Sequence, residues 1–163
     1  MKRLIYAFLV VCLCALPAFA AADVSKLQLP GDITQAQAEK VMAAALVKAK
    51  AQGVPMNITI VDAGGNLKAF CRMDGAFLGS IDVSQKKATT ARLFNMSTAE
   101  LGAASQPGQS LYGIEVTNGG LVIFGGGELL KDAKGVIIGA IGVSGGSVQE
   151  DTNVAKAGVA GLK

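Results

Sequence analysis

Apolar and polar residues alternate from Met56 to Asp62 and again from Leu67 to Met73. A period of two marks a strand with one buried face. Ala63-Gly64-Gly65-Asn66 lies between them and supplies residues that accept positive φ, so the two strands are predicted to form a hairpin. The returning strand then carries Leu67, Ala69, Cys71 and Met73 on its inner face and Lys68, Phe70 and Arg72 on the other. Upstream the spacing becomes helical. Thr34-x-x-Gln37 is a capping box, and Ala38, Val41, Ala45 and Ala49 fall on one face of a helix reaching Gln52. Gly53 stops that helix and Pro55 prevents its continuation.

The pattern continues downstream. Ser80 can cap a second helix running to about Asn95, and Ser97-x-x-Glu100 caps a short third one. Gln106 to Asn118 is less regular. Leu121 to Phe124 and Glu128 to Lys131 read as short strands on either side of Gly125-Gly126-Gly127. Asp132 to Gly135 is a turn before a glycine-rich strand, Val136 to Ser144. Ser147-x-x-Glu150 caps a last helix running to about Gly161. The predicted order is α-β-β-α-α-β-β-β-α. Strands joined by short turns imply an antiparallel sheet of about five strands flanked by helices, hence an α+β fold.

The first twenty residues belong to a different category. Met1-Lys2-Arg3 is a basic start, Leu4 to Leu16 an apolar run, and Ala18-Phe19-Ala20 an A-x-A cleavage site. This is the layout of a secretory signal peptide, and the run is shorter than the ~20 residues a spanning helix needs. The expected product is one domain over 21–163, with no membrane span, in a periplasm or secreted. Cleavage at Ala20 removes Cys12 and Cys14 and leaves Cys71 alone, so no disulfide can form within the mature chain. It also removes Lys2 and Arg3, two of the three net positive charges of the 163-residue chain. No basic stripe interleaved with aromatics remains, and nucleic acid is not an expected partner.

The chain contains no histidine. A Ser-His-Asp triad, a Cys-His pair and a His-ligated zinc are therefore excluded. One mature cysteine also excludes a CxxC redox pair. The remaining candidates are few. Arg72 and Asp74 flank Met73 at a strand end, either as a solvated or mutually paired end or as an anion clamp. Lys87, Thr90 and Phe94 share a helix face, either as an exposed lysine on an amphipathic helix or as a cation, a hydroxyl and an aromatic wall for a flat carboxylated ligand. Gly139 and Gly142 strip side chains from the last strand, leaving room for a helix, a second subunit or a flat ligand. Cys71 and Met73 are soft ligands or core residues, and Tyr112 is a weaker axial candidate. Asp151 opens the last helix, where its dipole favours a carboxylate without any function.

Several ordered segments share one register: Val61-Asp62-Ala63-Gly64-Gly65, Ala69-Phe70, Arg72-Met73-Asp74-Gly75-Ala76, Lys87-Ala88-Thr89-Thr90-Ala91, Gly119-Gly120, Gly139-Ala140-Ile141-Gly142-Val143-Ser144-Gly145, and Asp151 with Ala157-Gly158. Together they resemble the GlcG/HbpS-like haem-binding family, related to the C-terminal domain of PduO, over roughly Thr34 to Leu162. The resemblance implies a profilin-like antiparallel sheet with flanking helices, a homo-oligomer, and haem or a related tetrapyrrole as cofactor. Some members are credited with haem degradation. In that frame Arg72 and Lys87 would face the ligand's carboxylates, while Phe94 and the strand through Gly139 and Gly142 would meet its ring. Some haem-binding relatives ligate iron through histidine, which this chain lacks. Whether it is an enzyme stays open at this point. A reaction on a small organic acid with Asp74 and Lys87 as proton carriers is one alternative, and a purely structural partner protein is another.

Overall fold

A computed structural model describes residues 31–163. The expected signal peptide and the segment that follows it lie outside the described residues.

Helix α1, Gln35–Gln52, starts as its sequence dictates. The Thr34 hydroxyl accepts from the Gln37 amide, and the Gln37 side chain accepts from the Thr34 amide. It ends at Gly53, whose φ of 69° lets its N–H reach the Ala49 and Lys50 carbonyls. A hairpin follows, formed by β1 (Asn57–Asp62) and β2 (Leu67–Arg72). Its turn is fixed by the Asp62 carboxylate, which accepts from the backbone of Gly64 and of Asn66, each at 2.8 Å. Helix α2 spans Gly79–Phe94 and α3 spans Thr98–Ala104. Ser80 does not cap α2. Its N-cap is Leu78, which makes no side-chain capping bond, and Ser80 lies inside the first turn. A short 3₁₀ turn at Ile114–Val116 precedes β3 (Gly127–Lys131), β4 (Ile137–Ser144) and α4 (Val148–Ala160).

The sheet is antiparallel with strand order β2-β1-β4-β3. It has four strands rather than about five. The strand expected at Leu121 to Phe124 does not join it, because its backbone donors are satisfied elsewhere. Leu121 N–H donates to the Glu115 carbonyl, and Val122 N–H donates to the Thr90 hydroxyl.

The pleat divides the core in two. Ile58, Ile60, Ile141 and Val143 face α1 and α4, where they pack with Val41, Ala45, Val154 and Ala155. Val61 and Ala140 face α2, where they meet Ala88 and Ala91. Pairing places Cys71 opposite Ile58 and Ala69 opposite Ile60 on the inner face, but Leu67 departs from the expected set: the register shifts between Ile60 and Val61, pairs Leu67 with Val61 and leaves it 60% exposed. Helix α2 lies over β4, β1 and β3 but leaves the edge strand β2 largely bare. That gap decides which residues of the α2 face remain open to solvent.

Candidate functional site

Three features meet on the α2 face of the sheet. The first is a buried ion pair. Lys87 is 0% exposed. Its Nζ donates to Asp151 Oδ2 at 2.7 Å and to the Val143 carbonyl at 2.9 Å, and lies 4.8 Å from the centre of the Phe124 ring. Asp151 Oδ1 accepts from the Gly146 amide at 3.0 Å. The pair thus joins α2, β4 and the start of α4 in one place. Burial pushes the Lys87 pKa below its ordinary value, and the hydrogen bond and charge of Asp151 oppose that shift. Neither the exposed-lysine reading nor the ligand-face reading of Lys87 anticipated this enclosure; only the proton-carrier alternative called for a buried lysine. Asp151 was legible only as a dipole partner, and Phe124 carried no signal.

The second feature is the contact between α2 and β4. A Cβ on Gly142 would run into the Ser84 carbonyl and the Ala88 amide, so the bare stretch of strand is filled by the helix. A Cβ on Gly139, on the other face, would run into the Val61 carbonyl of the neighbouring strand. Beside these glycines the Thr59 and Ser84 hydroxyls share a buried hydrogen bond of 2.9 Å. Thr90 is buried too, and holds the Val122 amide at 3.2 Å. Phe94 is half-buried near the end of α2. The structure therefore brings Lys87, Thr90 and Gly142 together under α2 as packing, with Lys87 and Gly142 turned away from solvent.

The third feature lies where α2 does not reach. Arg72 is exposed at the end of β2, opposite Asn57 in register. The ion pairs among the described residues are Lys68 with Asp32, Lys86 with Asp82 and Lys87 with Asp151, so Arg72 and exposed Asp74 do not pair with each other. Gly75, at φ 81°, turns the chain back over the sheet. The buried Asn57 amide group donates to the Phe77 carbonyl at 3.0 Å and pins the returning segment. Phe77 is 70% exposed, Leu78 68% and Phe70, beside Arg72 on the same strand face, 37%. The result is an apolar, partly aromatic platform with one guanidinium beside it. Sequence periodicity found Arg72 and Phe70 but missed Phe77 and Leu78, whose signal was a phenylalanine-leucine pair with no polar partner just before a helix.

The sulfur ligands face elsewhere. Met73 packs on the α1 side of the sheet, and its Sδ accepts weakly from the Met56 amide at 3.4 Å. Cys71 shares that side. Tyr112 is exposed in the irregular segment. No cluster of three metal-ligating side chains occurs among the described residues. The platform suits the faces of a porphyrin and Arg72 suits its propionates, but the platform itself carries no strong iron ligand.

Comparison with known proteins agrees with this architecture. The chain is 42% identical over 132 residues to a 15.0 kDa protein of Citrobacter freundii encoded in the dhaT-dhaS intergenic region, covering 81% of this chain and 93% of that one. It is also 42% identical to part of the C. freundii corrinoid adenosyltransferase PduO, spanning 36% of that protein's length. Among solved structures, the haem complex of PduOC matches with a TM-score of 0.76 at 37% identity, covering 80% of this chain and 94% of that one. A double mutant of Streptomyces reticuli HbpS matches with a TM-score of 0.74 at 30% identity, covering 89% and 97%. The family model described as "Haem degrading protein HbpS-like" matches residues 33–160, and this chain belongs to that HbpS-like family.

Proposed function

We propose that the mature chain is an exported, oligomeric protein that binds haem or a related flat carboxylated ligand on the platform of Phe70, Phe77 and Leu78, with Arg72 pairing a propionate. The observation that carries this reading is the exposed aromatic surface beside a guanidinium that makes no ion pair among the described residues, in a chain similar to the PduOC of a solved haem complex. Large apolar side chains left open to water favour a ligand or a partner that covers them. A one-sided platform encloses a flat ligand only if something closes the other side, and a second copy of the chain would do so. Without histidine, affinity comes chiefly from burial of the ring and from the charge-assisted hydrogen bonds of the propionates. When bound, haem would supply its own iron chemistry; turnover of haem is a further step that this reading does not require. The alternative with Asp74 and Lys87 as proton carriers gains no support, since Lys87 is enclosed and Asp74 is exposed.

One preparation tests the reading. Protein taken from the periplasm should have an intact mass beginning at Ala21, scatter light as a defined oligomer, and give a saturable visible band with haemin. A monomer that gains no band at micromolar haemin would overturn it.

A further inference from the structure

A second cleft opens on the outer side of α2, away from the Arg72 platform. Its volume is about 210 Å³. Pockets for drug-sized ligands run to roughly 300–1,000 Å³, so this one excludes a tetrapyrrole and fits a much smaller molecule. One wall is a stripe of α2 that includes Lys86, Thr89, Thr90 and Leu93, and the other is the turn Asn118-Gly119-Gly120-Leu121. The turn holds three successive positive φ angles, 52° at Asn118, 72° at Gly119 and 100° at Gly120. A Cβ at Gly120 would come 3.6 Å from the Lys86 Nζ. The ammonium therefore sits against a bare stretch of backbone.

The polar groups of the cleft are unevenly placed. Lys86 pairs with Asp82 at 3.1 Å, one helical turn away; both side chains are exposed and both line the cleft, so Asp82 engages one of the three ammonium protons and leaves the others free to donate. Thr90 is buried and its oxygen accepts from Val122, which leaves its own proton without an acceptor among the described residues. The Asn118 and Gly119 amides likewise donate to nothing among the described residues. Beyond the Asp82 pair, the Thr90 proton and the Asn118 and Gly119 backbone amides remain as donors near Lys86, whereas Leu93 and Leu121 supply apolar lining. A charged acceptor gains most from such a donor set.

We propose that this cleft binds a short-chain carboxylate, with the carboxylate at Lys86, Thr90 and the Asn118–Gly119 backbone amides, and the alkyl chain against Leu93 and Leu121. The site is independent of the haem reading. A free acid and a haem propionate share this chemistry, and the structure favours the free acid because the ring cannot enter.

Amide chemical shifts of the mature chain, followed during titration with butyrate, test the proposal. The expected result is saturable shifts at Thr89, Thr90, Gly119 and Gly120, at least tenfold weaker binding of n-butanol, and at least tenfold weaker binding of butyrate to Lys86→Met. Circular dichroism of Lys86→Met should match the parent, since Lys86 is a surface residue. Shifts that never saturate, or an equal response to butanol, overturn it. So does unchanged butyrate affinity in Lys86→Met. A parallel haemin titration separates the sources. Undiminished haemin binding by Lys86→Met is expected; if haemin and butyrate weaken together, the cleft serves a propionate and the free-acid proposal is overturned. Failure of haemin to bind the parent chain would sink only the haem reading.

Discussion

Lys87 and Asp151 form a 2.7 Å ion pair with both side chains enclosed, although they are 64 residues apart in sequence. Removing one partner of such a pair leaves an uncompensated buried charge, at a cost of about 3–5 kcal/mol. Replacing both by apolar residues of similar size can be far less costly. We expect Asp151→Ala to lose roughly that much stability by urea unfolding, and Lys87→Met with Asp151→Leu to lose clearly less than the two single losses added. Strict additivity in this cycle would show that the pair is not coupled.

The same lysine makes stability depend on alkaline pH. Burial lowers its pKa from 10.5 in the folded chain. Between that lowered value and 10.5 the unfolded chain binds more protons, so stability rises with pH across this window and the gain is lost as pH falls back through the folded value. Lys87→Met should lack this rise. Urea midpoints measured every half unit from neutral to pH 10 check it, and identical slopes in the two proteins would contradict the assignment.

Gly142 and Gly79 should respond oppositely to alanine. A methyl at Gly142 meets the α2 backbone at Ser84 and Ala88, which cannot give way without lifting the helix off the sheet. Overpacking of this kind costs typically 1–3 kcal/mol, occasionally more. A methyl at Gly79, the first residue of α2, meets nothing within 4 Å. Gly79→Ala should leave the melting temperature level or raise it, while Gly142→Ala lowers it by several degrees or prevents folding.

Haemin binding should distinguish the two faces of β2. Arg72 lies on the α2 side, and Cys71 on the α1 side with Met73. A hydrogen bond to a charged group is worth about 1.5–3 kcal/mol, so Arg72→Ala should weaken haemin binding by roughly ten- to a hundredfold. Cys71→Ser should change it little. Loss of the visible band in Cys71→Ser, with normal affinity in Arg72→Ala, would move the site to the opposite face.

Acid stability should follow the helix caps. Hydrogen bonds from the backbone N–H of Ser97 and of Ser147, and next from their hydroxyls, hold the pKa values of Glu100 and Glu150 below the ordinary carboxylate value. Stability from these caps is present above the unfolded pKa of 4.5 and is lost as pH falls through the folded values. The Ser97→Ala, Ser147→Ala double variant should start less stable at neutral pH and lose less on acidification. Alanine keeps the backbone donors, so a parallel pair of acid curves would argue that the two hydroxyls do not contribute.

The features that the sequence settled by itself are those in which the deciding atoms lie within a few residues of one another. The three capping boxes at Thr34, Ser97 and Ser147 form as spaced, because each is closed by a partner three residues away. The alternation of β2 put Arg72 and Cys71 on opposite faces, because the pleat repeats every two residues whatever it packs against. The α+β class followed from the same local signals. Other features required distant segments to meet. The donors of Leu121 and Val122 went to Glu115 and Thr90 instead of a fifth strand, and nothing near Leu121 announced those acceptors. Gly142 left three candidates for its empty side, and only the packing of α2 selected the helix. Lys87 looked the same in sequence whether solvated or buried, because its fate rests on Asp151, Val143 and Phe124, which the fold alone brings around its ammonium. Arg72 stayed open for the converse reason: α2 covers three strands and stops short of the fourth.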